Sequence, residues 1–162
     1  MPPRRWTHPT AGALLAAFVA AHAETAHADP TPEDSKRADA LFEEGTKAME
    51  QGDYARGCPA LQQSLAIDPA PGTALALARC HEKAGKIATA WAAYLDAEAR
   101  ARKAGQAPRA DAARDQAAAL AARVPHVVIT VGSQVAALPG LVVELDGLAI
   151  APTALGTQLP VD

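Results

Sequence analysis

The sequence predicts a mainly α-helical protein, an array of helical hairpins with a closing helix, followed by a small antiparallel β-domain. Three observations carry that prediction. Alanine dominates a composition that is 49% hydrophobic and only 4% aromatic, and alanine favours helix because it gives up no side-chain entropy there. Small residues recur at a fixed interval through the middle of the chain. Past Val124 and Pro125 the composition turns to β-branched runs bounded by Gly and Pro, the mark of strands.

The first element, Met1 to Ala28, reads as a cleavable secretory signal peptide. Arg4 and Arg5 supply the positive start, Ala11 to Ala21 (AGALLAAFVAA) is an apolar run of 11 residues, and two Ala-His-Ala triplets end at Ala23 and Ala28. Cleavage is expected after Ala28, with Ala23 as the alternative. The competing reading is an N-terminal membrane anchor, but the run is shorter than the ~18 apolar residues a spanning helix needs. No cysteine follows the run, which closes the lipoprotein route, and Arg4 and Arg5 lack the rest of a twin-arginine signature. The cleaved protein is therefore expected to be periplasmic or secreted, with no stable membrane span. The net charge is −3, and cleavage would remove Arg4, Arg5 and Glu24 to leave −4. No basic stripe with interleaved aromatics remains, which argues against nucleic acid as a partner.

Residues 29–37 begin as a polar, proline-broken linker (DPTPED) and run into the first helix. The helical domain is expected over 38–123, broken at Gly52 and Asp53, from Pro69 to Gly72, and from Gly105 to Pro108. Gly45 is followed by Gly52 seven residues on, and Ala78 by Gly85 at the same spacing, so the pattern repeats with an offset of 33, close to the ~34 of one family of helical hairpins. The first unit places Leu41 and Gly45 on helix A, Gly52 to Tyr54 at the turn, Gly57, Leu61 and Ser64 on helix B, and Pro69 at its end. The second places Ala74, Leu77 and Ala78 on helix A, Gly85 to Ile87 at the turn, and Ala90, Tyr94 and Ala97 on helix B.

This stretch, Ala38 to about Ala104, resembles the tetratricopeptide repeat family. Gly45, Gly57 and Ser64, then Ala78, Ala90 and Ala97, fall where that family needs small side chains at the crossing of helices A and B. Tyr54 and Ile87 would close the two turns. The match departs from the family in lacking a Trp before Gly45 and a proline at the end of the second unit. Asp111 to Arg123 is expected to be one further helix, started by Pro108, whose face of Ala112, Leu120 and other alanines covers the open end of the second hairpin, as an isolated repeat array requires.

The resemblance places Cys58, near the start of helix B of the first unit, beside Cys80 in helix A of the second. A disulfide there would staple unit to unit and close a loop worth about 3 kcal/mol on the chain-entropy estimate; the alternative is two buried free thiols, since spacing does not fix the Cα separation a bridge needs. Cys58, Cys80 and His81 are a weak metal set, because neighbouring positions point to different faces of a helix, and no metal is expected. Trp91 and Tyr94 have a core spacing and are expected to pack on the last helix. His126 is expected to be a solvated junction residue. No nucleophile has a base and an orienting partner in view, and no Gly-rich phosphate loop is present, so neither catalytic residues nor a cofactor are expected.

In the repeat family helix A lines a concave groove that binds extended peptides. That resemblance assigns Phe42, Thr46, Met49 and Glu50, then Leu75, Arg79, Glu82 and Lys83, to a partner groove; the alternative is that they are ordinary surface residues. The final element, 124–162, is expected to hold strands in VVITV (Val127 to Val131) and LVVEL (Leu141 to Leu145), with Asp146 and Gly147 as a hairpin turn before LAI. With Pro139 and Gly140, Pro152 and Thr153, and the closing LPVD, it resembles a PEGA-type β-domain, a module of exported proteins. Too few strands are present to close a sandwich, so the β-domain is expected to be truncated and the chain to be a fragment. These resemblances imply a non-catalytic scaffold of the bacterial cell envelope that binds a protein or peptide partner through its groove. The competing readings are an accessory domain of a larger envelope enzyme or transporter, its remainder lying beyond residue 162, and a cell-wall-binding module.

Overall fold

The computed structural model describes residues 30–162; the export signal expected over Met1 to Ala28 lies outside the described residues. The protein is mainly α-helical. Five helices follow one another: α1 (Pro32–Glu50), α2 (Tyr54–Ile67), α3 (Pro71–Lys83), α4 (Ile87–Lys103) and α5 (Ala107–Ala121). Each packs against the next in sequence. α1 begins earlier than the linker reading allows. Thr31 is its N-cap, accepting from the Asp34 N–H at 3.1 Å, while the Asp34 carboxylate accepts from the Thr31 N–H and hydroxyl. That reciprocal pair, with Pro32 at the first helical position, makes the proline-rich stretch a helix start.

α1, α3 and α4 end in the same way. Gly52 and Gly85 sit at φ +76° and +77°, a region open to glycine at little cost. There the N–H three residues past the helix bonds back across the last turn: Asp53 to the Ala48 carbonyl at 2.9 Å, Lys86 to that of His81 at 3.0 Å, and Gln106 to that of Ala101 at 2.8 Å. This is the Schellman arrangement, which satisfies the orphan carbonyls of a helix end.

Burial repeats with the sequence. Gly45 and Ala78, Gly57 and Ala90, Leu61 and Tyr94, Ser64 and Ala97 are all buried, each pair 33 positions apart. At the α1–α2 crossing the helices meet backbone to backbone. A Cβ on Gly45 would lie 2.7 Å from Leu61 Cγ, and one on Gly57 would lie 3.0 Å from the Gly45 carbonyl oxygen and 3.2 Å from the Met49 nitrogen. The Ser64 hydroxyl donates across the same crossing to the Ala38 carbonyl at 2.8 Å.

α2 and α3 share a smaller interface than the helix pairs on either side. Cys58 of α2 and Cys80 of α3 form a disulfide across it, with Cα atoms 5.6 Å apart. Around the bridge sits a cluster with Leu61 and Leu77, flanked by Phe42, Met49 and Tyr54. A second cluster joins α3, α4 and α5 through Leu75, Ala78, Tyr94, Ala113 and Leu120, with Trp91 packed against it. The buried face of α5 is Ala110, Ala113, Ala117 and Leu120. Ala112, expected in that face, is exposed because, at 3.6 residues per turn, it lies about 80° round the helix from Leu120, whereas Ala113 lies about 20° from it.

The β-segment holds two separate two-stranded antiparallel sheets. β1 (His126–Val128) pairs with β4 (Gln158–Pro160), with Val127 opposite Leu159, and β2 (Glu144–Leu145) pairs with β3 (Leu148–Ala149). Asp146 and Gly147 make the tight turn of the second pair, both at positive φ, as a two-residue hairpin requires. The strands are shorter than VVITV and LVVEL suggest. Gly132 leads into a short helix α6 (Ser133–Ala136) and Pro139 and Gly140 into a turn, so only the ends of those runs reach a partner. His126, expected to be a junction residue, is in β1 opposite Pro160. Past β4, Asp162 returns to the helices. Its carboxylate accepts from the Ala88 N–H at 2.7 Å and the Thr89 N–H at 3.1 Å, and also from the Thr89 hydroxyl. These are the donors an N-cap side chain takes, and α4 has none of its own, since Lys86 stands at its N-cap.

Two expectations test this account. Gly57→Ala should lower unfolding free energy by about 1–3 kcal/mol, because overpacking at a backbone contact outweighs the ~1 kcal/mol that alanine gains over glycine inside a helix; urea denaturation showing a neutral or stabilised variant would remove the crossing from its central place. Replacing both Cys58 and Cys80 with serine should cost about 3 kcal/mol, read as a fall in melting temperature that the parent protein matches only after reduction.

Candidate functional site

The residues expected to line a groove divide into two groups. On α1, Phe42 and Met49 are half-buried and pack against the cluster around the disulfide. The Thr46 hydroxyl donates to the Phe42 carbonyl at 2.9 Å and to that of Glu43 at 3.1 Å, so it is committed to its own helix, and Glu50 is exposed. Phe42 also borders a cleft of about 190 Å³ formed with Ala38, Asp39, Ser64, Asp68 and Thr73. On α3, Arg79 and Lys83 are exposed and Glu82 is half-buried.

Leu75 does not belong to this surface. It is 8% exposed and packs with Ala78, Tyr94 and Leu120. The closing helix brings a wall of alanines over that end of α3, and the leucine side chain fills the space they leave. Repeat alignment assigns a position to a face, but only the neighbouring element decides whether that face stays open.

Tyr94, 1% exposed, donates its hydroxyl to Glu82 Oε2 at 2.7 Å. Burial first, then this hydrogen bond and the carboxylate charge, push the phenol well above its ordinary range, while Arg79 acts the other way. The phenol therefore stays protonated and fixes Glu82, leaving Arg79 and Lys83 as the open charges of α3. This polar knot was hidden from sequence because Tyr94 reads as core and Glu82 as surface; they meet only once α3 and α4 close as a hairpin.

A second polar group gathers at the α3–α4 turn. His81 and Lys86 border a cleft of about 530 Å³ with Asp53, Tyr54, Cys58 and Gln62. The His81 Nδ1 is buried and has no hydrogen-bond partner. Burial, reinforced by Lys86 and opposed by Asp162, holds the His81 imidazolium below its ordinary pKa. Burial raises the Asp162 carboxyl, but the hydrogen bonds from Thr89 and Ala88 outweigh it, and with Lys86 they hold it below the usual carboxylate range. Since both sulfurs of Cys58 and Cys80 are in the disulfide, neither is a thiolate ligand, and among the described residues no three His, Cys, Asp or Glu side chains gather as a metal site.

No protein-family model matches the chain, and no curated protein matches it. Among the described residues no helix is long and apolar enough to cross a membrane.

The turn predicts a two-step acid response. His81 is depressed from 6.5, so the unfolded chain takes up that proton first and stability falls as pH drops from about 6.5 through the lower folded value. Asp162 is depressed from 3.8, so its contribution is present above 3.8 and is lost as pH falls through its own lower value. Melting temperatures across the neutral-to-acid range should show both losses. Asp162→Asn should reduce the acid step to the share of Asp34, whose carboxyl the Thr31 hydrogen bonds also hold below its usual range, and, by removing the carboxylate that favours the imidazolium, extend the His81 step downward; an unchanged profile would show that the cap does not titrate with folding.

Proposed function

We propose that this chain is a non-catalytic protein-interaction module of the tetratricopeptide type, exported to the cell envelope or beyond, whose α1–α3 face takes an extended peptide. The observation that carries the reading is the recurrence of burial at 33-residue spacing in two consecutive hairpins, with the same glycine-ended turn in each. Helices α1 and α3 come into contact; Phe42 and Met49, half-buried against the disulfide cluster, leave part of their side chains open on α1, and α3 presents the exposed cations Arg79 and Lys83. Such a surface suits a peptide bearing an apolar side chain and a carboxylate. Two hairpins give a short groove and hence modest affinity.

The disulfide supports an oxidising compartment, in agreement with the export signal read in the sequence. The non-catalytic reading rests on the polar knots themselves. Tyr94 with Glu82, and Asp162 with Thr89, are bonded within the fold, as structural groups are. The β-segment is read as a PEGA-like module attached to the helical array.

Binding to a displayed peptide library tests the groove. Lys83→Glu lies on an exposed position and is the cleanest change; Arg79→Glu is also exposed but sets a second carboxylate beside Tyr94 and Glu82, and Phe42→Ala opens the cluster around the disulfide. Each charge reversal should weaken capture of acidic peptides by about tenfold at low salt, with helical circular dichroism unchanged. Capture that is indifferent to both reversals and to Phe42→Ala would remove this face from the account.

A further inference from the structure

At the end of the α1–α3 face away from Arg79 and Lys83, α1 meets the end of α2 and the start of α3 around a cleft of about 190 Å³. Two carboxylates, Asp39 and Asp68, line it, and the ion pairs among the described residues engage neither. Thr73 lines it too and is only 7% exposed. Its hydroxyl has no hydrogen-bond partner among the described residues. The one buried side-chain atom there that lacks both a partner and solvent is His81 Nδ1, so the Thr73 hydroxyl is reached through the cleft. Ser64, by contrast, has spent its hydroxyl on the Ala38 carbonyl. Two free carboxylates and a sunken hydroxyl thus share one small space with no lysine or arginine among its lining residues.

Charge and size select the occupant. The start of α3 would draw an anion, but the end of α2 beside it would draw a cation by about the same amount, so the two carboxylates decide the sign. Arg109 of α5 comes against Gly72, yet its guanidinium donates to Gln106 and does not line the cleft. The volume falls below the ~300 Å³ at which small-molecule pockets begin, which suits one side chain and not a whole ligand. Half-buried Phe42 gives the cleft an aromatic wall, which packs an alkyl stem and attracts its cationic tip. We propose that this cleft holds a lysine or arginine side chain of the peptide bound on the α1–α3 face, an inference that rests on the peptide-binding reading and deepens it. Arg79 and Lys83 stand six and ten positions along α3 from Thr73, about 9 and 15 Å at the helical rise. An extended chain covers that span in about three to five residues. The groove therefore carries opposite charges at its two ends and selects a basic residue and an acidic one at that separation.

The test titrates the purified chain with capped peptides of alanine and threonine that carry one lysine and one glutamate four positions apart, followed by fluorescence anisotropy. Norleucine in place of the lysine should weaken binding about tenfold at low salt, and arginine should not. Asp39→Asn combined with Asp68→Asn should weaken the lysine peptide by the same factor and leave the norleucine peptide unchanged. Thr73→Val should weaken the lysine peptide without lowering the melting temperature, because that hydroxyl has no partner in the fold to lose. Equal binding of the lysine and norleucine peptides, still weakened by Lys83→Glu, would overturn the cleft while keeping the groove. Lysine-dependent binding that responds to the aspartate variants but ignores Lys83→Glu would keep the cleft and remove the acidic end of the groove. Calcium alone competing the lysine peptide off at equimolar concentration would mark a metal site and overturn the proposal.

Discussion

Where Gly45 of α1 meets Gly57 of α2, nothing separates the two helices but backbone, and the rest of the stack takes its spacing from that contact. A side chain at either position would strike a carbonyl oxygen or a leucine branch. The second hairpin repeats the crossing with Ala78 and Ala90, both fully buried. Close approach lets a chain with few aromatic residues form a core at all, because alanines fill a thin interface and leave a thick one hollow. It also explains why large residues appear singly. Leu61 and Tyr94 each stand one turn along from a small crossing residue, and Leu61 fits because Gly45 opposite it has no side chain.

Thin interfaces bury little apolar area per residue, so the arrangement needs fastening by other means, and each joint has its own. Glycine-ended turns fix the angle between consecutive helices. The disulfide holds α2 to α3, the joint with the least packing. Asp162 closes α4 and, through the same hydrogen bonds, ties the β-segment to the helices it follows. Directional bonds here do what hydrophobic area does in proteins with richer cores.

Much of this was legible in the sequence, and the residues show which parts and why. The hairpins were readable because small side chains at a 33-residue interval are a local, periodic signal, and the turn at Asp146 and Gly147 because positive φ restricts residue type. The pairing of Cys58 with Cys80 was readable only through the neighbouring helices that the repeat implied. What escaped was what depends on contacts between distant segments. The start of α1 at Pro32 was hidden by reading its prolines as breakers. Leu75 was assigned to an open face that α5 covers. The Asp162 cap joins residues more than seventy positions apart, and no spacing rule connects an aspartate after a strand with a helix whose N-cap is lysine. His81 looked like one member of a weak metal set; its environment comes instead from Lys86 and Asp162 converging on the turn.

The β-segment follows from the same logic carried to its limit. Its strands are two or three residues long and its two sheets share no ladder, so little within it resists rearrangement. What orders it is attachment at both ends: Val124, buried where the segment begins, and Asp162 on α4 where β4 has led the chain back. Strand pairing between β1 and β4 closes that circuit, so a segment with almost no core of its own takes its order from two bonds to its surroundings and one short ladder.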